Sequence, residues 1–497
     1  MCTWEDNKLS PLFLLVPILV PIIGGTGIVL PGFHEDRPRE IYAEAVCCLT
    51  SVLVWIALLF GRRERIELYA FTRGFSIDLT MDGLSMLFAG MVSVMWPVVL
   101  LYAFEYLKHS KFKNVFFAFY VMTYGITLGI AFSGNMTTLY VFYEMLTLVT
   151  LPLVTHYGNH ESMYAGRIYA AYTIGGASLS FFTMVLTTLN SGGANFEYGG
   201  CLNAAPGDPM LLLAFLFGFF GFGTKAALFP LSRWLPLASV APTPVTALLH
   251  AVAVVNSGVF AVMRMAWYVY GPNYVGGTDV QHICLVTAAF TLVYAAFMAL
   301  RARHFKRRLA WSTVSNLSYM LFGVLLMTPD GFKGGLAHML FHGIIKMCLF
   351  LCAGAFMHQT ANEYLYEMNG IGKRMPVTFA CYTLGALSLT GIPLFCGFVS
   401  KWNLLLAAAR HGTVWGMMGM IALIIAAFLC AMYTLTVAAR AFFPMQGTDH
   451  YGEGSDVTEA GVRMTFPIVF FTVINVLFGV YPEPVLRLVT AIAGGSL

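Results

Sequence analysis

Long apolar runs separated by short polar loops set the pattern of this chain. A membrane-crossing helix needs about 20 mostly apolar residues. Fourteen such runs can be read, near 10–31, 41–60, 81–107, 113–133, 136–156, 164–190, 210–231, 243–270, 280–303, 309–328, 332–358, 376–409, 414–443 and 463–485. The runs are continuous rather than alternating over about ten residues, so helices are expected and not barrel strands. The longest polar stretch, Pro444 to Val462, is too small to fold alone. The first run follows a short polar tail with no cleavage pattern and reads as a retained span. The expectation is an all-α polytopic membrane protein of about fourteen helices in a single domain, 1–497.

Loop charge gives an orientation. Loops after odd-numbered runs carry sixteen Lys and Arg residues, from Arg37 and Arg39 through Arg440 and Arg463. Loops after even-numbered runs carry six: Arg62, Arg63, Arg65, Arg73, Lys333 and Arg410. Positive loops stay in the cytoplasm, so both termini are expected outside it.

Composition excludes the alternatives. The 497 residues are 58% hydrophobic and 10% charged, and mean hydropathy is +0.75. A soluble domain carries about 25% charged residues. The net charge of +4 is too small to argue for nucleic acid. The ten cysteines include no CxxC pair and read as small apolar residues of helix interiors.

Two runs carry helix breakers at their middles. In the seventh, Lys225 is followed by Pro230, with Pro236, Pro242 and Pro244 close behind. In the twelfth, Thr390-Gly391-Ile392-Pro393 and Gly397 precede Lys401. Each break has one lysine, five runs apart, the pattern of an inverted five-helix repeat with broken helices. The expected division is 10–107 (helices 1–3), 113–270 (first repeat, helices 4–8), 280–443 (second repeat, helices 9–13) and 463–485 (helix 14).

A charge at the bilayer centre costs roughly 2.5–3.5 kcal/mol on insertion scales, so the few charges inside the runs are functional candidates. Glu144 in the fifth run and Lys225 form a candidate pair. By opening and closing, it would let a buried lysine hold and release a proton. A static ion pair is the structural alternative. His338, His342 and Lys346 stand at i, i+4, i+8, on one helix face over roughly 12 Å. Histidine passes protons at cellular pH, so the stripe reads as a proton wire. Two histidines at i, i+4 can also hold zinc, but no glutamate follows as in HExxH and no third ligand is evident. No metal is expected. His250 joins the set, although a lone histidine is usually a satisfied core residue. Arg264 lies near the end of its run, where a long cation snorkels to the interface, and stands outside the set. Gly221-Phe222-Gly223 with Ala226 imitates a dinucleotide fingerprint, but it lies inside an apolar helix rather than after a strand. No cofactor is expected.

These residues resemble a known family: the antiporter-like subunits of respiratory complex I, of group 4 membrane-bound hydrogenases and formate hydrogenlyase, and of Mrp cation/proton antiporters. The resemblance covers almost the whole chain. It rests on Met81-Asp82-Gly83-Leu84-Ser85, Tyr143-Glu144, Thr224-Lys225-Ala226, Trp234-Leu235-Pro236 and the stretch Ala241 to His250. Lys306 to Ser315, His338 to Lys346, and Gly391-Ile392-Pro393 through Lys401 complete it. It implies Glu144 and Lys225 as input pair, His250, His338, His342 and Lys346 as central relay, and Lys401 as terminal group. It also implies a non-catalytic subunit that moves H+, or Na+ in relatives, across a lipid bilayer. Its partners would be other membrane subunits, homologous ones included. Asn256 stands where many relatives carry a lysine, and asparagine cannot carry a proton charge. The favoured reading is a proton-translocating subunit of a redox-driven complex of hydrogenase or formate hydrogenlyase type. The alternatives are an Mrp-type Na+/H+ antiporter subunit without a redox partner, and a membrane coupling subunit of another enzyme complex.

Overall fold

The computed structural model describes residues 10–30, 33–61, 65–72, 74–193, 195–444, 450–451 and 456–497. Arg62, Arg63 and Arg73 of the charge count, Pro31 of the first run, and parts of the Pro444–Val462 stretch lie outside the described residues.

The chain is built almost entirely of helices. The first part holds α1 (Val16–Val29), α2 (Asp36–Phe60), α3 (Gly83–Tyr106), α4 (Lys113–Ala131), α5 (Met136–Val154), α6 (His160–Ser191), α7 (Pro209–Gly223) and the short α8 (Trp234–Ala238). Next come α9 (Thr243–Ala251), α10 (Val254–Met263) with a π-helical turn at Arg264–Tyr270, α11 (Pro272–Val275), α12 (Asp279–Arg301) and α13 (Phe305–Leu325). The last are α14 (Pro329–Thr360), α15 (Pro376–Thr390), α16 (Cys396–Arg410), α17 (Val414–Phe442), α18 (Val462–Val480) and α19 (Glu483–Ala493).

Among the described residues, eleven helices are long and apolar enough to cross a membrane. The other three expected spans are the seventh and twelfth, each shortened by its break, and the tenth, α13, whose first turn carries Lys306, Arg307 and Arg308. The seventh run loses its helix at Gly223, not at 231. The twelfth divides into α15 and α16 around Gly391, whose φ of 98° suits glycine. Helix starts follow side-chain caps: Asp82 accepts from the Ser85 amide at 2.9 Å, and Asn135 from Thr138 at 2.8 Å.

One element corrects the all-α expectation. Strands β1 (Ile66–Thr72) and β2 (Phe75–Leu79) form an antiparallel hairpin between α2 and α3. Buried Asp78 anchors it, accepting from Arg65 Nη2 at 2.7 Å and Ser76 Oγ at 2.9 Å. Asn135, the α5 cap, also donates to it.

Burial separates the centre from the rim. The apolar core of Thr243–Tyr270 is 100% buried and that of α14 is 94%, against 28% for α2 and 33% for α18. These two central spans are therefore walled almost wholly by protein, and they carry four of the seven candidate residues.

Candidate functional site

Lys225 sits in the irregular turn that follows α7, fully buried. Three neighbours fix that turn. Trp234 Nε1 donates to the Thr224 carbonyl at 2.8 Å, and Tyr143 Oη donates to the Phe222 carbonyl at 3.0 Å. Gly258 of α10 lies so close that a Cβ there would stand 2.5 Å from the Ala226 nitrogen. The lysine ammonium donates to the Tyr143 backbone carbonyl and lies 3.5 Å from the centre of the Tyr143 ring. Glu144 is the next residue on α5. Its Oε1 is buried without a hydrogen-bond partner, and no ion pair closes between Glu144 and Lys225. The pair is adjacent and open.

The second lysine repeats much of this geometry. Lys401, on α16, donates to the Leu389 carbonyl at 2.5 Å and lies 4.9 Å from the centre of the Tyr319 ring. It borders a cavity of about 130 Å³ whose outer wall includes Trp402 and Ile424, both exposed. No carboxylate pairs with Lys401 among the described residues.

Between the two lysines lies the central group. His342 has Lys346, His338, Lys401 and His250 as its charged or titratable neighbours. The rings of His338 and His342 are 6.0 Å apart, and the His250 ring is 4.9 Å from that of Phe350. Both ring nitrogens of His250 and of His342 are buried without a partner. His338 is held differently. Its Nε2 is 3.2 Å from Asn316 Oδ1 and its Nδ1 2.9 Å from Ser400 Oγ. Asn316 Nδ2 donates to the Ser312 carbonyl at 2.7 Å, so the Asn316 oxygen faces the ring. An amide oxygen only accepts; Nε2 therefore carries the proton, and Nδ1 faces the Ser400 hydroxyl, which also reaches the Gly397 carbonyl at 3.2 Å. Lys346 donates to the Leu309 carbonyl at 2.9 Å and to Ser312 Oγ.

The structure thus brings His250, His338, His342, Lys346 and Lys401 together, and Glu144 with Lys225. It leaves a gap between the two groups. Asn256 stands in that stretch of chain. The eighth run is interrupted at Val252 and Ala253, where no proline or glycine announces a break. Asn256 Nδ2 caps the Ala251 carbonyl at 2.7 Å, and its Oδ1 remains buried and unpaired. The asparagine at the lysine position therefore does structural work at the break.

Arg264 overturns one expectation. It does not reach the interface but is wholly buried, bonded to both Asp82 oxygens (Nη2 to Oδ1 at 2.8 Å) and to Ser85 Oγ at 2.8 Å. The α3 cap is thereby tied to the π-helical turn that follows α10. Lys306, counted as a loop cation, is also buried and holds the Ala241 carbonyl at 3.0 Å. Glu44 on α2 belongs among the charges inside the runs as well. It is half-buried, with Oε2 unpaired. In the loop beyond α14, the His304 hydrogen bond at 3.1 Å holds the Glu363 carboxyl below its usual range.

Comparison with known proteins agrees with this architecture. Residues 133–431 match the family model described as NADH:quinone oxidoreductase/Mrp antiporter, TM. Subunit L of the NADH-quinone oxidoreductase of Mycobacterium tuberculosis is 30% identical over 93% of this chain and 74% of its own length. One component of the Na(+)/H(+) antiporter of Alkalihalophilus pseudofirmus is 28% identical over 85% of this chain and 56% of its own length. A chain of an archaeal membrane-bound sulfane sulfur reductase shares the fold, with a TM-score of 0.83, 23% identity and 97% of both chains covered. With a family model spanning more than half its length and a relative at this level of identity, the chain is a multi-pass membrane protein that belongs to the NADH:quinone oxidoreductase/Mrp antiporter family of membrane subunits.

Proposed function

We propose that this chain is the proton-translocating, antiporter-like subunit of a redox-driven membrane complex. A hydrogenase or formate hydrogenlyase type of partner module is favoured. The observation that carries the reading is the line of buried His250, Lys346, His342 and His338 that leads to Lys401. Titratable groups buried within membrane-crossing helices are costly, and they mark ion pathways and proton relays. Glu144 and Lys225 act as the input pair. Lys225 keeps its proton while Glu144 is near and charged, and passes it inward when the pair opens. Passage from the first group to the second depends on His250 and water. Lys401 is the terminal group, facing its lateral cavity.

The finer architecture belongs to the same reading. Fourteen crossings result when broken α7, the α15–α16 pair and α13 are counted with the eleven long apolar helices. Two inverted repeats, 113–270 and 280–443, are supported by the tyrosine-to-lysine register: Tyr143 to Lys225 and Tyr319 to Lys401 are both 82 positions apart. Both termini lie outside the cytoplasm, in a cell membrane, and the lateral faces pack against other membrane subunits.

The relative from A. pseudofirmus favours a second reading, a cation/proton antiporter component with no redox module, although this chain spans only about half of that protein. Mild-detergent purification of the tagged chain from its native host, with mass spectrometry of what accompanies it, separates the two. Nickel–iron or quinone-module proteins are expected; recovery of small membrane proteins alone would establish the antiporter. Within the complex, Lys346→Ala is expected to stop proton movement without dissociating the chain. Wild-type proton movement in that variant would refute the relay.

A further inference from the structure

The central relay leaves open how Lys346 reaches Lys401. The expected route runs up α14 through His342 and His338. Yet the Lys346 ammonium has no hydrogen bond to His342, both of whose nitrogens are unpartnered. Its one side-chain partner is Ser312 Oγ, on α13. His338 is already committed on both sides, to Asn316 and Ser400.

A second set of groups lies on α17. Cys430 and Tyr433 are three residues apart and share one helix face. Both are buried. Cys430 Sγ donates to the Leu389 carbonyl at 3.4 Å, the same oxygen that Lys401 holds at 2.5 Å. The thiol and the terminal amine are thus neighbours across one carbonyl. The Tyr433 hydroxyl makes no hydrogen bond in this arrangement, and the Cys430 thiol, the Ser312 hydroxyl and Tyr319 are among its side-chain neighbours. Its backbone is fixed beside α13, where Arg308 Nη1 donates to the Tyr433 carbonyl at 3.1 Å. Arg308 and Ser312 lie one turn apart on α13, on the same face.

We infer that Ser312, Tyr433 and Cys430 form a hydroxyl–thiol bridge that carries protons from Lys346 to Lys401, alongside or in place of the histidines. The bridge rests on the proton-translocation reading above. The transfer is a chain of hops. The Lys346 ammonium gives a proton to Ser312 Oγ, which passes its own to Tyr433 Oη. Tyr433 passes its own to Cys430 Sγ, and Cys430 gives its proton to the neutral Lys401 amine. Lys346 ends as the amine and Lys401 as the ammonium, and each bridging group ends with one proton and no net charge. Rotation of the three X–H bonds resets the line. The unpaired Tyr433 hydroxyl turns freely, while the Ser312 hydroxyl first leaves the Leu309 carbonyl, to which it donates at 2.8 Å, and the Cys430 thiol the Leu389 carbonyl.

The test uses the assembled complex in inverted membrane vesicles, driven by its own electron donor, with proton uptake and assembly of the complex read together. Tyr433→Phe keeps the ring and removes only the hydroxyl. It is expected to cut proton uptake per turnover about tenfold with assembly unchanged. Cys430→Ala should do likewise, while Cys430→Ser, which restores a protic group, should recover most of the rate. A packing role for Cys430 alone would not separate Ala from Ser in this way. Wild-type uptake in Tyr433→Phe, with uptake lost in Lys401→Ala, would overturn the bridge and leave the translocation reading standing. Wild-type uptake in Lys401→Ala would overturn that reading, and the bridge with it.

Discussion

The two halves of the molecule build their lysine sites alike and then diverge at one position. In each half a lysine lies over a tyrosine ring, Lys225 over Tyr143 and Lys401 over Tyr319. In each half it gives its protons to a backbone carbonyl beside a broken helix. The residue after the tyrosine differs. It is Glu144 in the first half and Met320 in the second. The first lysine therefore has a carboxylate beside it, and among the described residues the second has none. Its surroundings differ too: Lys225 is wholly buried, whereas Lys401 is half-buried beside a cavity with an exposed wall. A site with an internal counter-ion can be switched from within. Under the proposed function, switching belongs to the first half and delivery to the second.

Exchanging the differing residue breaks the comparison most directly. Met320→Glu gives Lys401 a carboxylate next to its tyrosine, so proton delivery is expected to fall at least about tenfold, measured as proton uptake in inverted vesicles. Next in size is the seat of the first lysine. Gly258→Ala forces a methyl against the Lys225 and Ala226 backbone, an overpacking that costs about 1–3 kcal/mol. A lower melting temperature of the purified complex checks it, and the loss should fall on the first half alone. The smallest effect lies outside the membrane. The Glu363 carboxyl is held low by His304, so its contribution to stability is present above the ordinary carboxylate pKa of about 4.3 and is lost as pH falls through the lowered value. The side chain is half exposed, and Glu363→Gln should remove well under about 1 kcal/mol of stability at pH 7, a loss that shrinks as pH falls through the lowered pKa. Thermal melts at pH 4 and pH 7 read the difference.

What could be seen in the sequence follows from rarity and from punctuation. Charges inside apolar runs are few, so Glu144, Lys225, Lys346 and Lys401 stood out. Glycine and proline mark the breaks near Lys225 and Gly391. Features that depend on contacts between distant residues were hidden. Arg264 and Asp82 meet across 182 positions, and only the fold turns an interface cation into a buried tie. The break at Val252 has no glycine or proline, because a side chain, Asn256, supplies the missing partner for the freed carbonyl. The β1–β2 hairpin, with Glu67 and Asp78 among its residues and Arg65 before it, reads as a polar loop until Asp78 is seen buried against Asn135. The identical tyrosine-to-lysine spacing in the two halves is written in the sequence, but it gains meaning only once each ring is seen beneath its lysine.

The central claim is that protons enter through a switchable pair in the first half. The direct measurement is the proton-to-electron ratio of the assembled complex in inverted vesicles for Lys225→Ala and Glu144→Gln, beside the unaltered protein. The account predicts electron transfer with proton movement abolished in Lys225→Ala and reduced about tenfold in Glu144→Gln, with both variants fully assembled. An unchanged ratio in Lys225→Ala would contradict it.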